Sequence, residues 1–392
     1  MILIKRKMLA YNKELLANSF LVSEAKNLYK MKFISKSQLA DIATQLPLLQ
    51  SNRNILVRIG FFLLGCFLFS SVMGSVIMLF MPLLENNYKV MVYFYALIGL
   101  VGTEFLAAKK YHKHGLDDAF ILSMQGAFYA AIGISFEDSL LVFMAMVVLG
   151  LVCCIRYVHT LSALISCIGL VGLLFNLITE QHLMATLFLP FVGFLLAIGI
   201  YFVYRKLHLN PKNYLYTNAL LVTKVFGLVL GYFSLNYMVV RELSQSLMNI
   251  TVEEGADIPL AFLFYGLTFL VPLFYIGYSI YTKDRMMLIV GILTLGYSFF
   301  TIRYYYQLMP LEIALLLGGI VLFAIVFAAI RLLKDKETGV TFKPDRSADT
   351  NLILNAQALL VNAQVDVKPV AGQENMPFGG GGFSGGGAGE TY

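Results

Sequence analysis

The chain has 392 residues, of which 59% are hydrophobic and 13% charged, with a net charge of +6. Soluble domains average about 45–50% apolar and about 25% charged residues, so this composition excludes an ordinary soluble globular protein. Runs of about 20 apolar residues, the length that crosses a bilayer, recur along the chain and override any domain count based on length alone. Cys66, Cys153, Cys154 and Cys167 all lie inside apolar runs, and none stands at metal-ligand spacing from a histidine. They read as small packing residues rather than a disulfide framework or a zinc site.

Residues 1–54 read as a soluble helical segment on the cytoplasmic side. The start, "MILIKRKMLAYNKELL", is basic but has no apolar core of signal-peptide length, so the first span is expected to serve as its own insertion signal. One helix is expected over 15–32. A second follows Ser35, whose Gln38 three residues later fits a capping box. Leu39, Ile42, Ala43 and Leu46 recur at helical spacing and give it one apolar face, and Pro47 ends it. The pair is expected to form a helical hairpin with a solvated basic face, or one that rests on anionic lipid.

Ten spans follow in residues 55–333, at 59–80, 90–108, 119–136, 139–155, 161–179, 183–204, 218–240, 259–281, 286–301 and 311–333. The third and fourth are separated at Glu137–Asp138, because two charges do not sit in hydrocarbon. Alternate connections carry Lys109, Lys110, Lys113, Arg156, Arg205, Lys206, Lys212, Lys283 and Arg285, whereas the others carry Lys89, Arg241 and Arg303. Cytoplasmic loops hold the Lys/Arg excess, so both termini are expected in the cytoplasm, consistent with an even number of spans. The same bias explains the positive charge without nucleic acid. The fold class is thus an all-α integral membrane protein, and the expected location is the cytoplasmic (inner) membrane of a bacterium.

Residues 334–368 read as a polar linker and an amphipathic helix, with Leu352, Ile353, Ala356, Leu359, Leu360 and Ala363 on one face. Residues 369–392 form a Gly-rich tail, "FGGGGFSGGG", expected to be a flexible solvated coil. Phe378 and Phe383 are its only large apolar groups and the natural contacts for a membrane-protein partner. Apolar–Gly–Tyr phrases at Gly231, Gly277 and Gly296 place small residues where helices can approach closely.

Enzyme signatures are missing: there is no Gly-x-Ser-x-Gly elbow, no His-Glu-x-x-His and no phosphate-binding Gly-x-x-x-x-Gly-Lys, so an enzyme is not expected. "HKHGLDD" groups His112, His114, Asp117 and Asp118, but a hydrated loop is the commoner meaning, and no metal or cofactor is assigned. Polar groups inside spans are the better candidates, because they tend to line cavities or pair. Glu104, Gln125 and Lys224 lie at similar depths near the cytoplasmic side. Either Glu104 and Lys224 pair between helices, or both reach back to the interface. A second group, Asn176, Asn236, Arg241, Arg303 and Glu312, lies toward the outer side, where "RYYYQ" also fits an aromatic belt.

The stretch "FISKSQLADIATQL", leading through "RNILVRIGFFLLGCFLF" into the spans, resembles bacterial "predicted membrane protein" families, domains of unknown function, whose N-terminal hairpin carries a similar Ile-Ser-x-x-Gln step. The likeness covers roughly residues 15–80. It implies no substrate and carries over no functional residue. Two function classes follow from the residues: a transporter or permease of a small solute, and a non-catalytic scaffold or subunit of a larger membrane complex. A polar cavity lined by Glu104, Gln125 and Lys224 would favour the first, and a solid bundle the second.

Overall fold

In the computed structural model the described residues are 8–30, 33–52, 54–84, 88–180, 188–248, 257–258, 260–306 and scattered positions from 312 to 331. The helices are α1 (Lys13–Lys30), α2 (Lys36–Gln45), α3 (Ile55–Leu84), α4 (Tyr88–Ala108), α5 (Leu116–Phe136), α6 (Ser139–Tyr157), α7 (Thr160–Thr179), α8 (Leu189–His208), α9 (Thr217–Leu235), α10 (Tyr237–Met248), α11 (Ala261–Thr282) and α12 (Arg285–Tyr306). A 3-10 turn, Pro211–Tyr216, leads into α9. Among the described residues, nine helices are long and apolar enough to cross a membrane. Most of the tenth expected span, 311–333, lies outside the described residues, as do the linker and amphipathic helix of 334–368 and the tail with Phe378 and Phe383.

The amphipathic N-terminal hairpin forms as its spacing predicts. Ser35 Oγ accepts the Gln38 backbone N–H at 3.2 Å, while Gln38 Oε1 accepts the Ser35 N–H at 2.8 Å. Leu39, Ile42, Ala43 and Leu46 are the half-covered face of an otherwise exposed α2. The segment does not stand apart from the spans. The Ala10 N–H donates to the Arg156 carbonyl at 2.9 Å, and Gln50 exchanges backbone hydrogen bonds with Lys110 and His112. Tyr11, Leu16 and Leu49 join Ala107, Ile121, Met124, Cys153 and Tyr157 in one buried cluster, so the hairpin straps one end of α4, α5 and α6.

The spans pack as sequential antiparallel hairpins: α4 with α5, α6 with α7, α8 with α9 and α11 with α12. Helix α3 leans on α5, and α9 touches α7 and α12, which makes it the junction of the bundle. Outward faces are apolar and bare (Phe67, Met78, Phe262 and Leu293 among them), as helices bathed in lipid tails require. Attraction between such helices comes from close contact rather than water exclusion, so small residues mark the interfaces. A Cβ at Gly150 would meet the Ser162 carbonyl oxygen at 2.9 Å, and one at Gly169 would meet Met146 Cβ at 2.6 Å. Of the three glycines in the Gly–Tyr phrases, Gly231 alone is close-packed, against the Tyr275 hydroxyl; Gly277 and Gly296 face open space.

The acidic turn between α5 and α6 forms as expected. Glu137 adopts the left-handed conformation, and the Asp138 carboxylate caps the Leu140 N–H at 2.8 Å. The expected seventh span differs. Residues 218–240 are not one helix: α9 stops at Leu235, Asn236 is extended (φ −73°, ψ 128°), and α10 begins at Tyr237. The cause is the Asn236 side chain, held by the network described below.

Candidate functional site

The connections at the basic end lie together, because side chains and backbone groups link them. Asp117, at the start of α5, accepts the backbone N–H groups of Lys113, His114 and Gly115 at 2.7, 2.9 and 3.0 Å and so folds the α4–α5 loop around itself. Gly115 sits at φ +110° with the Arg58 carbonyl 2.3 Å from where a Cβ would be, so only glycine fits. Asp118 pairs with Arg58 Nε at 2.7 Å, and its other oxygen faces His159 Nε2 at 3.3 Å. These two aspartates are committed to capping and pairing. Among the described residues, no three His, Cys, Asp or Glu side chains are placed to hold a metal ion.

From Asp118 a hydrogen-bonded chain runs inward. His159 Nδ1 lies 2.8 Å from Ser162 Oγ, Gln125 Nε2 donates to that Oγ at 2.6 Å, and the Tyr129 hydroxyl donates to Gln125 Oε1 at 3.1 Å. His159, Ser162 and Gln125 are buried, and Tyr129 is half-buried. Beside this chain, Arg156 holds Glu104 bidentately, with Nε to Oε1 at 2.7 Å and Nη2 to Oε2 at 2.8 Å, and the Tyr157 hydroxyl adds a third bond at 2.5 Å. Lys224 pairs with Asp284 and lies 5.3 Å from the centre of the Tyr204 ring. Glu104, Gln125 and Lys224 therefore belong to three separate networks. Of the two alternatives for Glu104 and Lys224, the mutual pair does not form: equal depth gives height along a helix but not the direction a side chain faces, and each charge meets a nearer partner.

The second group divides as well. Asn236 is fully buried; its Nδ2 donates to Tyr232 Oη at 2.8 Å and to Thr301 Oγ1 at 3.2 Å, while its Oδ1 accepts the Val239 N–H at 3.3 Å. The Tyr237 N–H, the first of α10, donates to Thr268 Oγ1 at 2.9 Å. Opposite, Pro272 sits inside α11 and lacks the N–H that would bond the Thr268 carbonyl. Ser298 Oγ, bonded also to Tyr232 Oη at 2.8 Å, donates to that carbonyl at 2.6 Å. The break after α9 thus meets a continuous helix that lacks one backbone hydrogen bond, across a buried polar junction roughly 10 Å inside the starting end of α11 at 1.5 Å per residue. Arg241 connects to it through the Tyr237 hydroxyl at 2.7 Å and covers the Tyr305 ring at 4.7 Å. The Tyr237 hydroxyl also donates to the Asp257 carboxylate at 2.5 Å. Asn176 stands elsewhere, donating to Ser139 Oγ at 2.6 Å. Arg303 lies in the last turn of α12, and Glu312 is exposed.

Sequence reasoning missed His159, Ser162, Asp284 and Pro272. Two signals were readable. "VHTLS" places a polar residue three before a serine at a helix start, and "FLVPLF" interrupts a span near its middle.

His112 offers a pH test of the strap. It is buried against Tyr11, with ring centroids 4.9 Å apart, and burial with Lys113 beside it pushes the imidazole down to about 3. An unfolded histidine takes up a proton near pH ~6.5, and this folded one only near 3, so the unfolded state binds more protons between those values. The contribution of His112 is therefore fully present above pH ~6.5 and is lost as the pH falls toward 3. Proteolysis of residues 8–50 should accelerate on acidification across that window, and His112→Phe, which keeps the ring contact, should flatten the dependence. An unchanged profile in the variant would rule His112 out as its source.

Among the described residues, nine apolar spans, bare outward sides and polar groups paired inside the bundle define a multi-pass α-helical membrane protein. Against known proteins, no family model, curated protein or solved structure matches the chain.

Proposed function

We propose that this chain is a small-solute transporter or permease of a bacterial cytoplasmic membrane, with the basic end and both termini on the cytoplasmic side. The orientation rests on the Lys/Arg excess at that end. The transport reading rests on one observation: α9 ends at Asn236 against Thr268 of α11, whose carbonyl lacks its helical donor because residue 272 is proline, around polar groups with no exposed surface. Interrupted helices that meet within the bilayer are the structural pointer to a transport site, because irregular backbone is tolerated there where it is held by protein or lines a cavity. No enzyme activity is assigned. The N-terminal likeness to bacterial membrane protein families is part of the same reading and adds no substrate.

The scaffold reading has its own observation. Glu104, Gln125 and Lys224 are each satisfied by a protein partner instead of lining one shared cavity. Cysteine access separates the two. In a background with the four native cysteines replaced, Ser298→Cys is tested with a membrane-impermeant maleimide, with Ile121→Cys in the packed core as the control. Transport requires the junction to open, so Ser298→Cys should label at least about tenfold faster than the control. Equal, negligible labelling from both sides would leave a solid bundle and favour the scaffold.

A further inference from the structure

The chain of side chains at the basic end begins on a histidine whose two ring nitrogens face opposite kinds of partner. His159 is 5% exposed. Its Nδ1 accepts the Ser162 backbone N–H at 3.2 Å and lies 2.8 Å from Ser162 Oγ. Its Nε2 is 3.3 Å from Asp118 Oδ1 but is not aligned for a hydrogen bond. Buried ring nitrogens are usually satisfied, so this one has a partner in place and a bond still to make. Asp118 on α5 faces it directly and His112 in the α4–α5 loop lies close by, while Arg58 on α3, Asp117, Lys113 and Tyr11 on the strap surround the same Asp118 carboxylate.

The directions of the bonds follow from what each atom can do. Because Nδ1 accepts from the Ser162 N–H, it carries no hydrogen, and the neutral ring keeps its proton on Nε2. The Ser162 hydroxyl receives the Gln125 amide hydrogen and gives its own to Nδ1. Gln125 Oε1 receives the Tyr129 hydroxyl. Every donor in the neutral state therefore points from Tyr129 toward His159.

We propose that His159 is a proton-binding site, and that Ser162, Gln125 and Tyr129 carry its protonation state into the membrane as a reversal of hydrogen-bond direction. A proton from the basic face adds to Nδ1 and gives an imidazolium beside the Asp118 carboxylate. Nδ1–H then donates to Ser162 Oγ, and the serine hydrogen turns to Gln125. A hydroxyl can donate to an amide only at its oxygen, so the Gln125 amide turns over and offers its Nε2 hydrogens to Tyr129. The Tyr129 hydroxyl changes from donor to acceptor, about 20 Å from the start of α5 at ~1.5 Å per residue. The proton stays on His159, and the direction of the chain is what travels. The Ser162 N–H loses its acceptor, so the charged state also uncaps α7. The proposal holds whether or not the bundle carries a solute.

The test is nuclear magnetic resonance on the full chain in nanodiscs, with ring-15N histidine and 13Cζ tyrosine, as the pH is lowered from about 8 to about 5, the range in which histidine switches. The His159 signal is identified by its loss in His159→Gln, or, if that variant does not fold, by keeping His159 alone after replacing the other four histidines with Gln. The wild-type His159 signal should move to the charged form, and the Tyr129 carbon should follow with the same midpoint. Asp118→Asn and Ser162→Ala should each lower the midpoint by about one pH unit, the tenfold weakening expected on losing a charge partner or an acceptor. A His159 signal that stays neutral down to about pH 5 overturns the proton site. A Tyr129 carbon that stays still while His159 titrates overturns the inward relay. A midpoint unmoved by both substitutions reduces His159 to a helix cap.

Discussion

Lys224→Leu is expected to lower the stability of the folded protein by about 3–5 kcal/mol, the usual consequence of leaving one member of a buried ion pair unpaired. Lys224 is buried and Asp284, between α11 and α12, is partly so, with side-chain exposures of 6% and 20%. Asp284 has a second task, since its Oδ1 accepts the Met287 N–H at 3.2 Å at the start of α12. The informative double variant is therefore Lys224→Leu with Asp284→Asn, which removes both charges and keeps the cap. It should recover most of the loss, because a neutral pair of similar volume is about as stable as a buried ion pair. Denaturant titration in mixed micelles gives the values. The control is Glu104→Leu combined with Lys224→Leu. Glu104 is bonded to Arg156 and Tyr157, in a network without Lys224, so these two losses should add to within about 0.5 kcal/mol. Strong coupling between them would contradict the separation of the networks.

Gly169→Leu is expected to be far more damaging than substitution of Gly277 or Gly296, at about 3 kcal/mol or more, because overpacking here meets backbone as well as side chain. The first added atom would lie 2.6 Å from Met146 Cβ and 3.0 Å from the Val147 nitrogen, and only separation of α6 from α7 can relieve it. Separation also breaks the bond from Ser166 Oγ to the Val147 carbonyl at 3.0 Å. Gly277→Ala and Gly296→Ala place a methyl in open space and should change stability by less than about 0.5 kcal/mol. Thermal denaturation in detergent of the three variants side by side checks the ranking. A damaging Gly277→Ala with a harmless Gly169→Leu would reverse the packing described here.

These contrasts show what could be read along the chain and what could not. Nine of the ten expected spans, the capping box at Ser35 and the acidic turn at Asp138 follow from local chemistry and are found among the described residues, with the seventh span ending early at Leu235. The partners of Glu104 and Lys224 depend on which way each helix is rotated. In a span apolar on every side no periodicity reveals that rotation. Arg156 was visible as a loop charge, but it lies in the last turn of α6 and turns back to Glu104, while Asp284 drew no notice between Lys283 and Arg285. One asparagine in a long apolar run gives little warning of a break, because the reason for it is Thr301, 65 residues away in the chain. The glycine phrases look alike in sequence and differ only in what faces them.

The strap across the basic end also has a consequence for biogenesis. Residues 8–50 leave the ribosome before the spans that anchor them, and those anchors, the α4–α5 loop and the Arg156 carbonyl, are made much later. Some 146 residues separate Ala10 from Arg156, which at translation rates of about 5–20 residues per second is a wait of roughly 7–30 seconds. Throughout that interval Tyr11, Leu16 and Leu49 have no core to enter. Closure of the strap thus reports that α4, α5 and α6 have been inserted and have found one another.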